Sequence, residues 1–116
     1  AQIRSSAGVG CLTVERPTIQ DAAEAGRLGM RAWLRLTRRG YGLQPLASAS
    51  IFIFLDAANA LQGPNLPDGL LEHVECGKKI LKTHFSLSDS EIPLWTFRTG
   101  LSSPMPQKNR TLRREL

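Results

Sequence analysis

The stretch Ala25–Ser48, AGRLGMRAWLRLTRRGYGLQPLAS, decides how the rest of the chain is read. Ala22, Ala25, Gly26, Gly29, Met30 and Trp33 recur at helical spacing and form a stripe of mostly small residues. Two glycines inside a helix each cost about 1 kcal/mol relative to Ala. That cost is understandable where a neighbouring backbone comes close, so the stripe predicts a tight helix contact within the domain or across a dimer, although ordinary core packing would serve as well. Upstream, Arg16-Pro17 breaks the chain, and Thr18 with Asp21 three positions on approximates a capping box. The helix is expected to run from there to Arg39, with Arg38 and Arg39 favouring the C-terminal dipole and Gly40 as the stop. Gly40–Pro45 then reads as a turn, in which Gln44 is extended because a proline follows it.

Working outward, Ser6–Val14 mixes small and β-branched residues and reads as a short strand. Ser48 or Ser50 could cap a second helix from about Ile51 to Gln62, ended by Gly63-Pro64. Its first turn is apolar all round, which predicts burial. A strand over 50–55 stays open, because a short apolar run does not settle the period. A third helix begins near Pro67 and carries Leu70, Leu71, Val74, Ile80, Leu81 and Phe85. Pro93–Thr99 alternates Leu94, Thr96 and Arg98 with Trp95 and Phe97, as a strand should. The expected order is strand, three helices, strand and basic tail, an α+β unit spanning 1–116. Two strands alone make no stable sheet. Completion by sequence preceding Ala1, by a partner, or by both is therefore expected.

Composition narrows the classes. The chain has 116 residues, 41% hydrophobic and 22% charged, with a net charge of +5. That describes one globular domain rather than a disordered segment. No apolar run approaches the roughly 18–20 residues a membrane-spanning helix needs, and no secretory leader opens the sequence. Two cysteines, Cys11 and Cys76, are too few for a disulfide framework, so a cytoplasmic setting is expected. Basic residues cluster twice, as Arg27, Arg31, Arg35, Arg38 and Arg39, and as Lys108, Arg110, Arg113 and Arg114. Both clusters suit an anionic ligand or a nucleic-acid patch.

Motifs for other chemistries are weak. His73, Cys76 and His84 are the one metal-like group, but no fourth ligand accompanies them and packing roles are expected. Neither a phosphate-loop sequence nor a dinucleotide fingerprint is present. No catalytic side chain can be assembled from the His, Cys and carboxylate set. In the tail, guanidinium forks beside the Thr111 hydroxyl would suit a phosphate, whereas a solvated tail is the plainer reading.

The order of these segments resembles the C-terminal half of nitroreductase-like, FMN-dependent oxidoreductases. Gly26-Arg27, Trp33-Leu34, Gly42-Leu43 and Pro45 match that family's run from its long central helix into the flavin-side loop. Phe97-Arg98-Thr99-Gly100 and Arg110-Thr111-Leu112-Arg113-Arg114 match its closing strand and its Arg-Ser-x-Arg-Arg type motif, with Thr in place of Ser. The family's N-terminal Arg-Arg-Ser-x-Arg type flavin motif has no counterpart here. The resemblance implies an incomplete nitroreductase-like sheet-and-helix domain that takes part in hydride transfer from NAD(P)H through FMN to a quinone, nitroaromatic or similar small acceptor. The isoalloxazine would do that work, so no catalytic side chain is implied. Pro45, Leu46, Ala47 and Ser48 would line the flavin, and Arg110, Arg113 and Arg114 would meet its phosphate. A homodimer is implied, with no membrane partner, and the 116 residues alone are expected to be inactive. The competing readings are a small basic module for nucleic acid or protein, with nucleic acid disfavoured by an aromatic content of 6%, and a non-catalytic relative of the same fold.

Overall fold

The computed structural model describes residues 6–46, 48–63 and 66–101. The elements run β1 (Gly8–Val14), α1 (Ile19–Arg38), β2 (Tyr41–Pro45), α2 (Ser48–Ala57), α3 (Leu70–His84) and β3 (Ile92–Leu101). They form an α+β domain whose three strands pair antiparallel in the order β1-β3-β2. The central strand is the last in sequence, so both edges are held through long-range pairing with β3.

The start of α1 follows its local chemistry. Thr18 is extended and its hydroxyl accepts from the Asp21 amide at 3.2 Å, satisfying one of the first-turn donors. Asp21 also receives the Arg16 guanidinium at 3.0 Å and the Arg16 amide at 3.1 Å. The Arg16 contact holds its carboxyl below the usual carboxylate range. Gly40, at φ 82, ends the helix in the left-handed region as expected.

Two expectations need correction at the ends of elements. The segment Tyr41–Pro45 is a strand, not a turn, and it supplies the third strand that the sheet otherwise lacked. Its proline sits at the last position of an edge strand, where no ladder donor is required. Helix α2 stops at Ala57 rather than Gln62. Asn59 takes a left-handed φ of 55, and the Ala60 amide reaches back to the Leu55 carbonyl at 2.9 Å, closing the helix early. The third helix likewise begins at Leu70, three residues later than the proline suggests, behind a left-handed Gly69.

The small-residue stripe of α1 has a specific destination. A Cβ on Gly29 would stand 2.9 Å from Leu12 and 3.1 Å from the Trp95 ring, so the close contact is with the sheet rather than with another helix. Gly26 meets nothing within 4 Å. Leu12 and Trp95 are register partners across β1 and β3, as are Gly10 and Phe97. The Trp95 ring lies between Trp33 of α1, at 6.3 Å, and Phe97, at 5.3 Å. These rings tie α1 to the sheet. Among the described residues the buried core is small, comprising Val14, Ala25, Gly29, Ile53, Val74 and Pro93 with the polar Ser50 and Thr96. Burial of α2 is therefore one-sided, since Ile51 and Phe52 remain exposed although the sequence there is apolar all round.

Candidate functional site

The loop between β2 and α2 is fixed by β3. The Leu46 amide donates to the Thr96 carbonyl at 2.8 Å, and the Thr96 hydroxyl donates to the Leu46 carbonyl. Thr96 is 7% exposed, so both bonds lie out of water where a lost partner is expensive. Two residues further along β3, Arg98 Nε donates to Gln44 Oε1 at 2.6 Å, and beside it the Thr99 hydroxyl donates to the Gly42 carbonyl at 2.8 Å. The pairs Gly42↔Gly100, Leu43↔Thr99, Gln44↔Arg98 and Pro45↔Phe97 run consecutively along the β2–β3 ladder. Two segments more than fifty residues apart are thus zipped together, and the surface beside them is a concavity of about 350 Å³ that reaches Ser6 and Leu101.

The residues singled out from the sequence fall unequally. Pro45 and Ser48 are exposed on either side of the loop, and Leu46 is half-buried with its amide committed to Thr96. Ala47, Arg110, Arg113 and Arg114 lie outside the described residues. Ser48 opens α2, where the first-turn amides have no partner within the helix. The sequence does not reveal the Thr96 bonds to the loop or the Arg98 and Thr99 bonds to β2. The alternation of Leu94, Thr96 and Arg98 placed Thr96 and Arg98 on one face, but only the pairing with β2 shows what they hold.

A second concavity is apolar. About 310 Å³ opens between α1, β3 and α2, bounded by Leu12, Gly26, Met30, Trp33, Ile51 and Trp95. Gly26 contributes no side chain to it, since a Cβ there would meet nothing within 4 Å. Nothing polar projects strongly into it, so it offers dispersion and desolvation rather than acid–base chemistry.

The titratable residues elsewhere take local roles. His73 Nδ1 stands 2.7 Å from the Gly69 carbonyl and steadies the start of α3, and His84 meets the Phe85 ring edge-on at 4.8 Å. Among the described residues, no three His, Cys, Asp or Glu side chains gather as a metal group. Burial, with the nearby Glu91 charge adding to it, pushes the Cys11 thiol up to about 11. At pH 8 its thiolate is then about one part in a thousand, too little for nucleophilic work. Brief iodoacetamide treatment at that pH is expected to label the exposed Cys76 and leave Cys11 unmodified. Peptide mass analysis reads this directly, and comparable labelling of both cysteines would show that Cys11 is more open than its packing implies.

No helix among the described residues is long and apolar enough to cross a membrane. Comparison with protein-family models, with curated proteins and with solved structures finds no match in any of the three.

Proposed function

We propose that the chain is the C-terminal part of a nitroreductase-like, FMN-dependent oxidoreductase, acting as a homodimer on NAD(P)H and a small acceptor such as a quinone or nitroaromatic. The observation that carries this reading is the β2–β3 ladder. Gly42–Pro45 and Phe97–Gly100 were matched to the family as two separate motifs, and they are neighbours in space, residue against residue. A single site built from both motifs requires that proximity, and this supports the reading.

The β2–α2 loop suits a planar cofactor in its exposed positions. Pro45 and Ser48 are open to solvent, and the first-turn amides of α2 follow directly. Leu46 has a different part, since its hydrogen bonds to Thr96 hold the loop in place while its neighbours make contact. Bound FMN would supply the hydride chemistry, with the protein contributing orientation and electrostatics. Arg110, Arg113 and Arg114 are assigned to the phosphate, whose nearly two negative charges planar guanidinium groups can meet in pairs.

Titration of the full-length protein with FMN and with riboflavin tests this. A charge-assisted contact worth about 1.5–3 kcal/mol makes Arg113→Ala weaken FMN binding by roughly ten- to a hundredfold. Riboflavin, which lacks the phosphate, should be almost indifferent to the same change. Equal losses for both ligands would indicate misfolding, and no binding of either flavin by wild type would end the oxidoreductase reading.

A further inference from the structure

The solvent face of α1 carries a row of arginines that the flavin reading does not use. Arg27, Arg31, Arg35 and Arg39 follow one another at four-residue steps, with Arg38 beside them, and all five are exposed. On the helix circumference Arg27, Arg31 and Arg38 lie opposite Ala25 and Gly29, the two buried positions of α1, while Arg35 lies to the side and Arg39 is the C-cap. The chain has 15 basic and 10 acidic residues. These five arginines therefore equal the whole net charge of +5, and the remaining residues balance at ten of each sign.

Little neutralises the row locally. Glu24 pairs with Arg27 at 3.4 Å, and Glu15, Asp21 and Glu24 line one concavity with Arg27 and Arg31, so acidic groups reach the first half of the row and not Arg35, Arg38 or Arg39. No Asp or Glu occurs from Ala25 to Leu55. No ion pair among the described residues engages Arg31, Arg35, Arg38 or Arg39. Two large apolar side chains share this face, with Leu34 at 61% and Leu28 at 56% exposed. Leu34 lies inside the arginine row, one helical turn from Arg31 and from Arg38.

We propose that this face of α1 is a docking surface for an anionic lipid bilayer, on which the helix lies in the plane of the headgroups. The mixture of side chains selects that occupant. Guanidinium groups match phosphate oxygens, and an interfacial helix also needs apolar side chains to enter the acyl boundary. A nucleic-acid backbone would meet the arginines but leave Leu28 and Leu34 without an apolar partner. Stacking on bases has no support here either, because Trp33 is turned inward against Trp95. Helix α1 packs against the β1 and β2 edges of the sheet, and Arg27, Arg31 and Arg38 lie on its far side, with Arg35 and Arg39 also exposed, so the face is open to a flat surface. The inference uses none of the residues assigned to flavin and departs from the expectation of no membrane partner; it concerns adsorption to a surface, which the lack of a spanning helix among the described residues does not address.

Sedimentation with vesicles of phosphatidylcholine alone, and of phosphatidylcholine mixed with phosphatidylglycerol, tests the proposal. Wild-type protein should bind the mixed vesicles, release at high salt and ignore the neutral ones. Each arginine near such a surface contributes about fivefold in partitioning, so the double variant Arg31→Glu with Arg35→Glu should reduce binding roughly a hundredfold or more. Leu34→Ser keeps every charge and should still weaken binding several-fold. Both variants alter exposed positions, and an unchanged far-ultraviolet circular dichroism spectrum confirms that they fold. Failure to bind mixed vesicles, binding unaffected by the charge reversals, binding undiminished by Leu34→Ser, or tighter binding to a DNA oligonucleotide at the same salt would each overturn it.

Discussion

Ile53→Ala is expected to lower the unfolding free energy by about 2–5 kcal/mol, against the roughly 5–15 kcal/mol typical of a domain. Ile53 is 2% exposed and is the most protected large apolar side chain among the described residues. Its Cδ1 atom approaches the backbone of α3 at Gly77, where an added Cβ would stand 3.9 Å away. The side chain thus fills the space that Gly77 leaves, and Val74 closes the same side of α3 one turn earlier. Truncation removes three carbon atoms from a junction with few other buried residues to collapse into the void. Urea unfolding followed by circular dichroism should show a lower midpoint with an unchanged slope. Ile53→Val, which removes one carbon, should cost about 0.5–1.5 kcal/mol by the same logic. A midpoint unmoved by Ile53→Ala would mean that α2 and α3 do not depend on this contact.

What the sequence revealed of this fold is what local chemistry controls. Thr18, Asp21 and Gly40 mark the ends of α1 because capping hydroxyls and left-handed glycines act within a few residues. The alternation of Leu94–Arg98 marks β3 because one strand face must differ from the other. Strand β2 was missed because Tyr41–Pro45 contains a glycine and a proline and has no alternation of its own. Its extended form comes from pairing with β3, more than fifty residues downstream. The close approach at Gly29 was legible as a fact, but its partner was not, since small residues admit a sheet as readily as a helix. Helix α2 shows the converse, because an apolar run states that burial is possible without saying against what.

The site was legible in the same uneven way. Residue type suggested where an anion or a flat ring could be received, but not that Thr96 would hold the loop at Leu46. That bond joins two segments whose proximity only the sheet order creates. Hydrogen bonds between distant segments have no signature in either segment alone, whereas caps and alternation do. The arginine row is the clearest case of a feature visible first in sequence and given meaning by structure. Its four-residue spacing was plain, yet which of its arginines lie away from the buried side of α1 depends on where Ala25 and Gly29 pack.

Gly10→Val should destabilise the protein by about 1–3 kcal/mol, although valine is the better strand former. The backbone at Gly10 is ordinary for a strand, so the cost cannot come from strain in φ. It comes from Phe97, whose ring lies across the position opposite it in the β1–β3 ladder. A Cβ at Gly10 would fall 2.3, 2.7 and 2.9 Å from three atoms of that ring. The ring cannot simply swing aside without leaving Trp95, which it meets at 5.3 Å, and Trp95 in turn supports Trp33 on α1. An obstruction in β1 is thereby passed to the contact between sheet and helix. A double-mutant cycle separates this account from a general intolerance of β1. In a Phe97→Leu background the obstructing ring is gone, and Gly10→Val should become neutral or stabilising, with a coupling of about 1–3 kcal/mol. An equal penalty in both backgrounds would mean that the ring is not the obstacle. Gly10 would then serve the backbone of β1 itself, and the row of rings would hold α1 to the sheet without its help.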